Sequence, residues 1–109
     1  MDPYNVKLTQ LVKEFHLEVI YAASDYESIR LTVADVARPG MQLAGYFEHF
    51  EPMRLQVLGN VEMSYIEKLT PEGRYSVFDR LFMYKFPALL IARSKDPHPQ
   101  CLEMAKKYN

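Results

Sequence analysis

The sequence has no tryptophan, a single cysteine and only four glycines in 109 residues. With Cys101 alone, no internal disulfide forms and no cysteine-based metal framework is possible, which fits a reducing compartment. Gly40, Gly45, Gly59 and Gly73 are scattered, and none precedes a lysine. The Gly-x-x-x-x-Gly-Lys-Ser/Thr loop, which closes backbone N–H groups around a nucleotide's phosphates, is therefore missing. Gly40 and Gly45 have the right gap, but Tyr46-Phe47 follow where Lys-Ser/Thr is required, so the pair reads as a turn with close helix packing. Long apolar runs are missing too. The longest, Phe86-Pro87-Ala88-Leu89-Leu90-Ile91-Ala92, is too short to span a bilayer. Met1-Asp2-Pro3-Tyr4-Asn5 carries no cationic stretch leading into an apolar one. A cytoplasmic location is the expectation. Nor is one sign of charge in excess: 13 Lys and Arg face 14 Asp and Glu. The signs are interspersed, so neither nucleic acid nor an anionic membrane is an expected partner.

What is present is the usage of a globular domain, 49 % hydrophobic and 25 % charged. The length fits one domain over residues 1–109. Leu8, Leu11, Val12 and Phe15 recur at the spacing of one helical face, with Asn5 or Thr9 as the candidate cap. Leu17 to Ala22 is a β-branched and aromatic run, and Ile29, Leu31 and Val33 alternate with Arg30 and Thr32. Both read as strands, with Ser24-Asp25-Tyr26-Glu27 as the turn between them. Asp35 is placed to cap a short helical turn that Pro39-Gly40 breaks, after which Met41, Leu43, Ala44 and Phe47 rebuild an apolar face. Leu55, Val57, Leu58 and Val61, bounded by Pro52 and Gly59, read as a buried strand of a parallel sheet. Thr70-Pro71 opens a helix whose inner face is Phe78, Leu81 and Phe82. Ala88 to Ala92 is a further buried strand. Asp96-Pro97 or His98-Pro99 opens a last helix, on which Cys101, Leu102, Ala105 and Tyr108 share a face. The six methionines read as core filler. Helix and strand patterns alternate across short connections, which predicts an α/β domain with a mainly parallel sheet covered on both sides. Asn109 falls at a helix C-terminus, where such a chain turns into its next strand, so the expectation is part of a longer chain.

Few residues stand out chemically. His16 ends the first helix and suits its dipole; His98 reads as a cap. His49 has Glu48 and Glu51 near it in sequence, yet neighbours on one helix point apart. No serine lies in a glycine-flanked elbow, and Cys101 reads as a small buried hydrophobe. Arg38 is set apart because Pro39-Gly40 holds it in a defined direction, where a guanidinium can clamp a carboxylate, a phosphate or backbone carbonyls. A local structural bond is the plainer reading, and Arg38→Ala is expected to leave the fold intact. Tyr46, Phe47 and Phe50 cluster with His49 in sequence, as core packing or as an interface. Arg38, Tyr46, Phe47 and His49 are thus the candidate interface or ligand-contact residues; the chain offers no catalytic, cofactor or metal set.

Asp35-Val36-Ala37-Arg38-Pro39-Gly40, with the hydrophobic stretch that ends in Gly45-Tyr46-Phe47, resembles a signature of the N-terminal domain of bacterial HPr kinase/phosphorylase. Arg54-Leu55-Gln56-Val57-Leu58-Gly59 matches the same family in order and spacing. So do the opening Val6 to Ile20 segment and the closing helix, so the likeness covers essentially the whole chain. The resemblance implies a three-layer α/β/α fold, similar to the N-terminal domain of muramoyl-peptide ligases. It implies a parent enzyme that phosphorylates a serine of the phosphocarrier protein HPr with ATP or pyrophosphate and removes the phosphate by phosphorolysis. Such parents need magnesium, form hexamers and act in carbon catabolite repression. Their P-loop, catalytic acid and HPr-binding surface belong to a C-terminal kinase domain that is not in this chain, so no catalytic residue carries over. Its implied partners are its own kinase domain and other subunits. The alternative is a stand-alone α/β domain that senses a small ligand or binds a protein.

Overall fold

Leu55-Gln56-Val57-Leu58 is a nearly continuous buried run, and it becomes the central strand of a parallel sheet, the place where such a run belongs. A computed structural model describes residues 5–48, 50–92 and 95–109. In it this strand, β4 (Leu55–Leu58), lies between β3 (Val36–Ala37) and β5 (Leu89–Ile91), parallel to both. Val36 lies opposite Leu55 and Ala37 opposite Gln56; on the other side Gln56, Val57 and Leu58 meet Leu89, Leu90 and Ile91. The remaining two strands, β1 (Val6–Lys7) and β2 (Arg30–Leu31), form a separate antiparallel pair.

The crossovers are helical. α2 (Gly40–Leu43) joins β3 to β4, while α3 (Asn60–Glu67) and α4 (Pro71–Phe82) join β4 to β5. α2 touches α3 and α4, and α4 packs on α5 (Pro99–Tyr108). Strand side chains alternate between faces, so Leu58 meets these helices in a core with Leu43, Met63, Ile66, Phe78, Leu81 and Cys101. Phe78, Leu81, Ile66 and Leu58 are almost fully buried, each stabilising the fold by about 1.5–3 kcal/mol. Leu55 and Leu90 point the other way, toward α1 (Leu8–Glu14). The domain is α/β, as the alternating pattern predicts.

Local chemistry accounts for the ends. The Thr70 hydroxyl accepts from the Gly73 N–H at 3.0 Å, with Pro71 at the first helical position, as expected. α2 stops at Gly45, whose φ of +98° closes the turn while the Tyr46 N–H reaches the Met41 carbonyl at 3.0 Å. α1 ends the same way on His16 (φ 54°), the Leu17 N–H bonding the Val12 carbonyl at 3.0 Å. The role of His16 there is one of backbone conformation.

Several expectations are corrected. Neither Asn5 nor Thr9 caps α1: the cap position is Lys7, with no side-chain bond, and Asn5 instead accepts from Arg30 at 3.2 Å. Residues 17–22 are irregular, with Val19 and Ile20 about half exposed, because no neighbouring strand pairs with them among the described residues. The strand expected at 29–33 is confined to Arg30–Leu31. Asp35 caps nothing; it sits in a bend, and β3 follows at once. Val61 belongs to α3, a helix that sequence periodicity did not reveal, and is 73 % exposed. α5 opens at His98-Pro99, yet the His98 side chain makes no capping bond. Of the described methionines only Met63 is buried, while Met41, Met53 and Met83 are exposed.

Candidate functional site

Ligands of open parallel sheets gather outside the carboxyl ends of the strands, where helix N-termini point N–H groups outward. At this edge β3 runs into Arg38-Pro39, and β4 runs into Gly59 and the start of α3. Glu62, one turn into α3, folds back over it. Its Oε1 accepts from the Gly59 N–H at 2.6 Å, from Arg38 Nε at 2.7 Å and from Arg38 Nη2 at 2.7 Å. This is the reciprocal half of a capping box, in which the third helical residue reaches back to the cap N–H; glycine has no side chain to supply the other half. Glu62 is buried, whereas about half of the Arg38 side chain faces solvent.

Gly59 is extended rather than left-handed, with φ −97°. Space is what excludes a larger residue there: a Cβ would run into the Arg38 guanidinium and stand 3.3 Å from Glu62 Oε1. The sequence signal for this arrangement is the Gly59-x-x-Glu62 spacing. Chemically, the carboxylate already fills the place of an anion at the α3 N-terminus and satisfies its dipole. A phosphate approaching this edge would meet the Glu62 carboxylate. Among the described residues no group of His, Cys, Asp and Glu is arranged to hold a metal ion.

Behind the edge, Gln56 is completely buried, and its Nε2 donates to the carbonyls of Glu51 at 3.1 Å and Arg54 at 3.0 Å. The segment before β4 is thereby tied to the sheet. Arg54 pairs with Glu51 at 2.8 Å.

Tyr46 and Phe47 lie beyond α2 and serve other partners than Arg38. The Phe47 ring stacks on Tyr84 at 4.7 Å and 11°, and Phe50 meets both edge-on at 5.6 and 5.3 Å. Tyr84 is not signalled by the sequence, since it follows α4 and lies 34 and 37 positions along the chain from Phe50 and Phe47. The Tyr46 hydroxyl donates to Glu48 at 2.7 Å, which, with some burial, raises its pKa. His49 lies outside the described residues.

The remaining titratable groups are structural in setting. Burial pushes the Cys101 thiol up to about 12, so it stays protonated and unreactive at neutral pH. Burial, aided by the nearby Arg74 charge and opposed by Glu67, lowers the His98 pKa. Asp79 is held below the usual carboxylate range by hydrogen bonds from the Tyr108 hydroxyl at 2.6 Å and Lys107 at 2.9 Å. That cluster fastens α5 to α4.

Fold and edge together define a class: an α/β domain with a parallel three-stranded sheet, whose carboxyl edge is closed by its own arginine–glutamate clasp. The chain matches the family described as HPr Serine kinase N terminus over residues 6–109, and it belongs to that family. It is 36 % identical over 102 residues to an HPr kinase/phosphorylase of Streptococcus thermophilus (strain CNRZ 1066), covering 94 % of this chain and 33 % of that protein. The corresponding protein of Clostridium perfringens (strain SM101 / Type A) is 38 % identical over 104 residues, 95 % of this chain and 33 % of its own length. One from Caldanaerobacter subterraneus subsp. tengcongensis is likewise 38 % identical over 104 residues, 34 % of its length. The chain thus spans about a third of the length of the curated relatives it matches. No helix among the described residues is long and apolar enough to cross a membrane.

Proposed function

We propose that this chain is the assembly or regulatory domain of a bifunctional HPr kinase/phosphorylase and has no catalytic activity of its own. The observation that carries this reading is the family match over residues 6–109 alongside relatives about three times as long. The clasp supports it, because the edge where an α/β enzyme takes phosphates is occupied here by Glu62. In this reading the parent is cytoplasmic and phosphorylates a serine of HPr with ATP or pyrophosphate and magnesium. It reverses the step by phosphorolysis, and it assembles as a hexamer in carbon catabolite repression. Nucleotide and metal are held by the kinase domain. Arg38, Tyr46, Phe47 and His49 are the residues proposed to contact that domain or other subunits.

The test is phosphoryl transfer to HPr by three samples: the full-length protein, residues 1–109, and the protein lacking residues 1–109. Transfer by the first and third, none by the second, and a changed sedimentation coefficient of the third are expected. Transfer by residues 1–109 alone would refute the reading. The alternative, a stand-alone ligand sensor, would have the open groove on the α1 side of the sheet as its site. Tight calorimetric binding of a nucleotide or sugar phosphate to residues 1–109 would support that alternative instead.

A further inference from the structure

Arg38 is held more firmly than an exposed side chain needs. Its Nε donates to Glu62 Oε1 at 2.7 Å, and Nη2 lies 2.7 Å from the same oxygen. The side chain of Pro39, next in the chain, is fully buried and anchors the backbone. Gly59 leaves the space in which the guanidinium lies, because a Cβ there would run into it. Pro39, Gly59 and Glu62 together fix one charged group.

Capping α3 does not require this. A Ser, Thr, Asp or Asn in place of Gly59 would satisfy a first-turn N–H with its own side chain and no buried carboxylate. An ion pair open to solvent on one side adds little stability, and burying the Glu62 carboxylate carries a desolvation penalty. What the arrangement supplies is direction: the guanidinium is oriented before it meets a partner.

The bonds to Glu62 use the edge that runs from Nε to Nη2. A guanidinium has a second edge, between Nη1 and Nη2, with two parallel N–H bonds. Among the described residues that edge makes no hydrogen bond or ion pair, and about half of the side chain faces solvent. Two parallel donors in one plane match the two oxygens of a carboxylate. Glu62, on the other edge, repels a phosphate more strongly because of its greater negative charge.

A small acid is held by burying most of its surface in a cavity. Arg38 lines neither the open groove beside α1 nor the hollow at residues 22–28. A carboxylate presented by a protein surface needs no cavity, and the relatives are about three times as long as the part matched here.

We propose that the free edge of Arg38 binds an Asp or Glu side chain from the part of an HPr kinase/phosphorylase outside residues 1–109, with Glu62 as the residue that positions the guanidinium. The inference rests on reading the chain as a domain of that longer protein.

The experiment is zero-length carbodiimide cross-linking of the full-length protein carrying Arg38→Lys, read by mass spectrometry, with transfer to HPr assayed on the unaltered protein. The amine introduced at position 38 becomes joined to a carboxylate in contact with it. A link to one Asp or Glu outside residues 1–109 is expected. Links to Glu62 alone, to residues 1–109 of a second copy, or to no carboxylate overturn the proposal. Changing the linked acid to its amide should then add no loss of melting temperature to that of Arg38→Gln, since the contact is already gone; additive losses count against it. If acetate raises the melting temperature of the unaltered full-length protein but not of Arg38→Gln, the occupant is a free carboxylic acid and the proposal falls. Transfer to HPr without the link sinks this proposal alone, and the link without transfer sinks only the functional reading.

Discussion

Replacing Glu62 by alanine removes the acceptor at the centre of the clasp and strands three donors. The Gly59 N–H, buried beneath Arg38, loses its bond at 2.6 Å; an unsatisfied buried N–H costs about 1–3 kcal/mol. The two contacts from Arg38 at 2.7 Å are also lost. Because about half of that side chain faces solvent, they count for only about 0.5–1 kcal/mol. The expected destabilisation is about 1.5–4 kcal/mol, read as a lower urea midpoint at unchanged slope. In a chain of this size that corresponds to a fall in Tm of about 6–25 °C. Arg38→Ala keeps the Gly59–Glu62 bond and should cost about 1 kcal/mol with the fold intact. The double variant should resemble Glu62→Ala alone, because Arg38 has no acceptor left to lose. If Glu62→Ala stays within about 0.5 kcal/mol of the parent, within the range of ordinary surface changes, the clasp is not what holds β3 to α3.

Three further outcomes follow from the same geometry. The folded-state thiol of Cys101 is raised from 9.0 to about 12, so above pH 9 the unfolded chain ionises first. Stability should then fall between pH 9 and 12 by up to about 4 kcal/mol, and the fall should be shallower in Cys101→Ala when melting is followed against pH. His98 is shifted the opposite way, below 6.5. The unfolded state therefore binds the proton more readily, stability falls as pH drops from 6.5 toward the lowered value, and His98→Gln should flatten that part of the profile. Gly45→Ala places an L-residue at φ +98° with its Cβ 3.1 Å from Arg80, and chemical denaturation should show a loss of about 1–2 kcal/mol.

The fold was legible wherever one physical signal acted alone. β4 was visible because Leu55, Val57 and Leu58 give a central parallel strand apolar residues on both faces, and α4 because Thr70-Pro71 combines a side-chain cap with a residue that needs no N–H bond. Residues 17–22 misled because β-propensity measures fit to a half-buried pleated surface, and no partner strand supplies that surface among the described residues. α3 was hidden for the opposite reason. Its stabilising contacts are tertiary: Glu62 reaches back to Gly59 and across to Arg38, while Val61 and Tyr65 leave one flank exposed. That weakens the apolar stripe on which periodicity depends.

The same contrast explains what could be foreseen at the site. Arg38 was marked by the stiffness of the Pro39-Gly40 that follows it, but its partner lies 24 residues away on an element that local pattern did not show. Tyr84 joins the Phe47–Phe50 pair from the far end of α4. A rigid turn announces that a side chain is aimed; only the packed sheet decides at what. Here the target is the domain's own Glu62, so what Arg38 itself leaves for a partner is the outer half of its guanidinium. A partner that used it would have to bind without displacing a carboxylate that also caps α3. Such a contact adds to the clasp rather than replacing it, and it would tighten β3 against α3 on binding. Slower exchange of the Gly59 amide in the assembled protein than in residues 1–109 is the expected sign, and unchanged exchange there would place the contact away from Arg38.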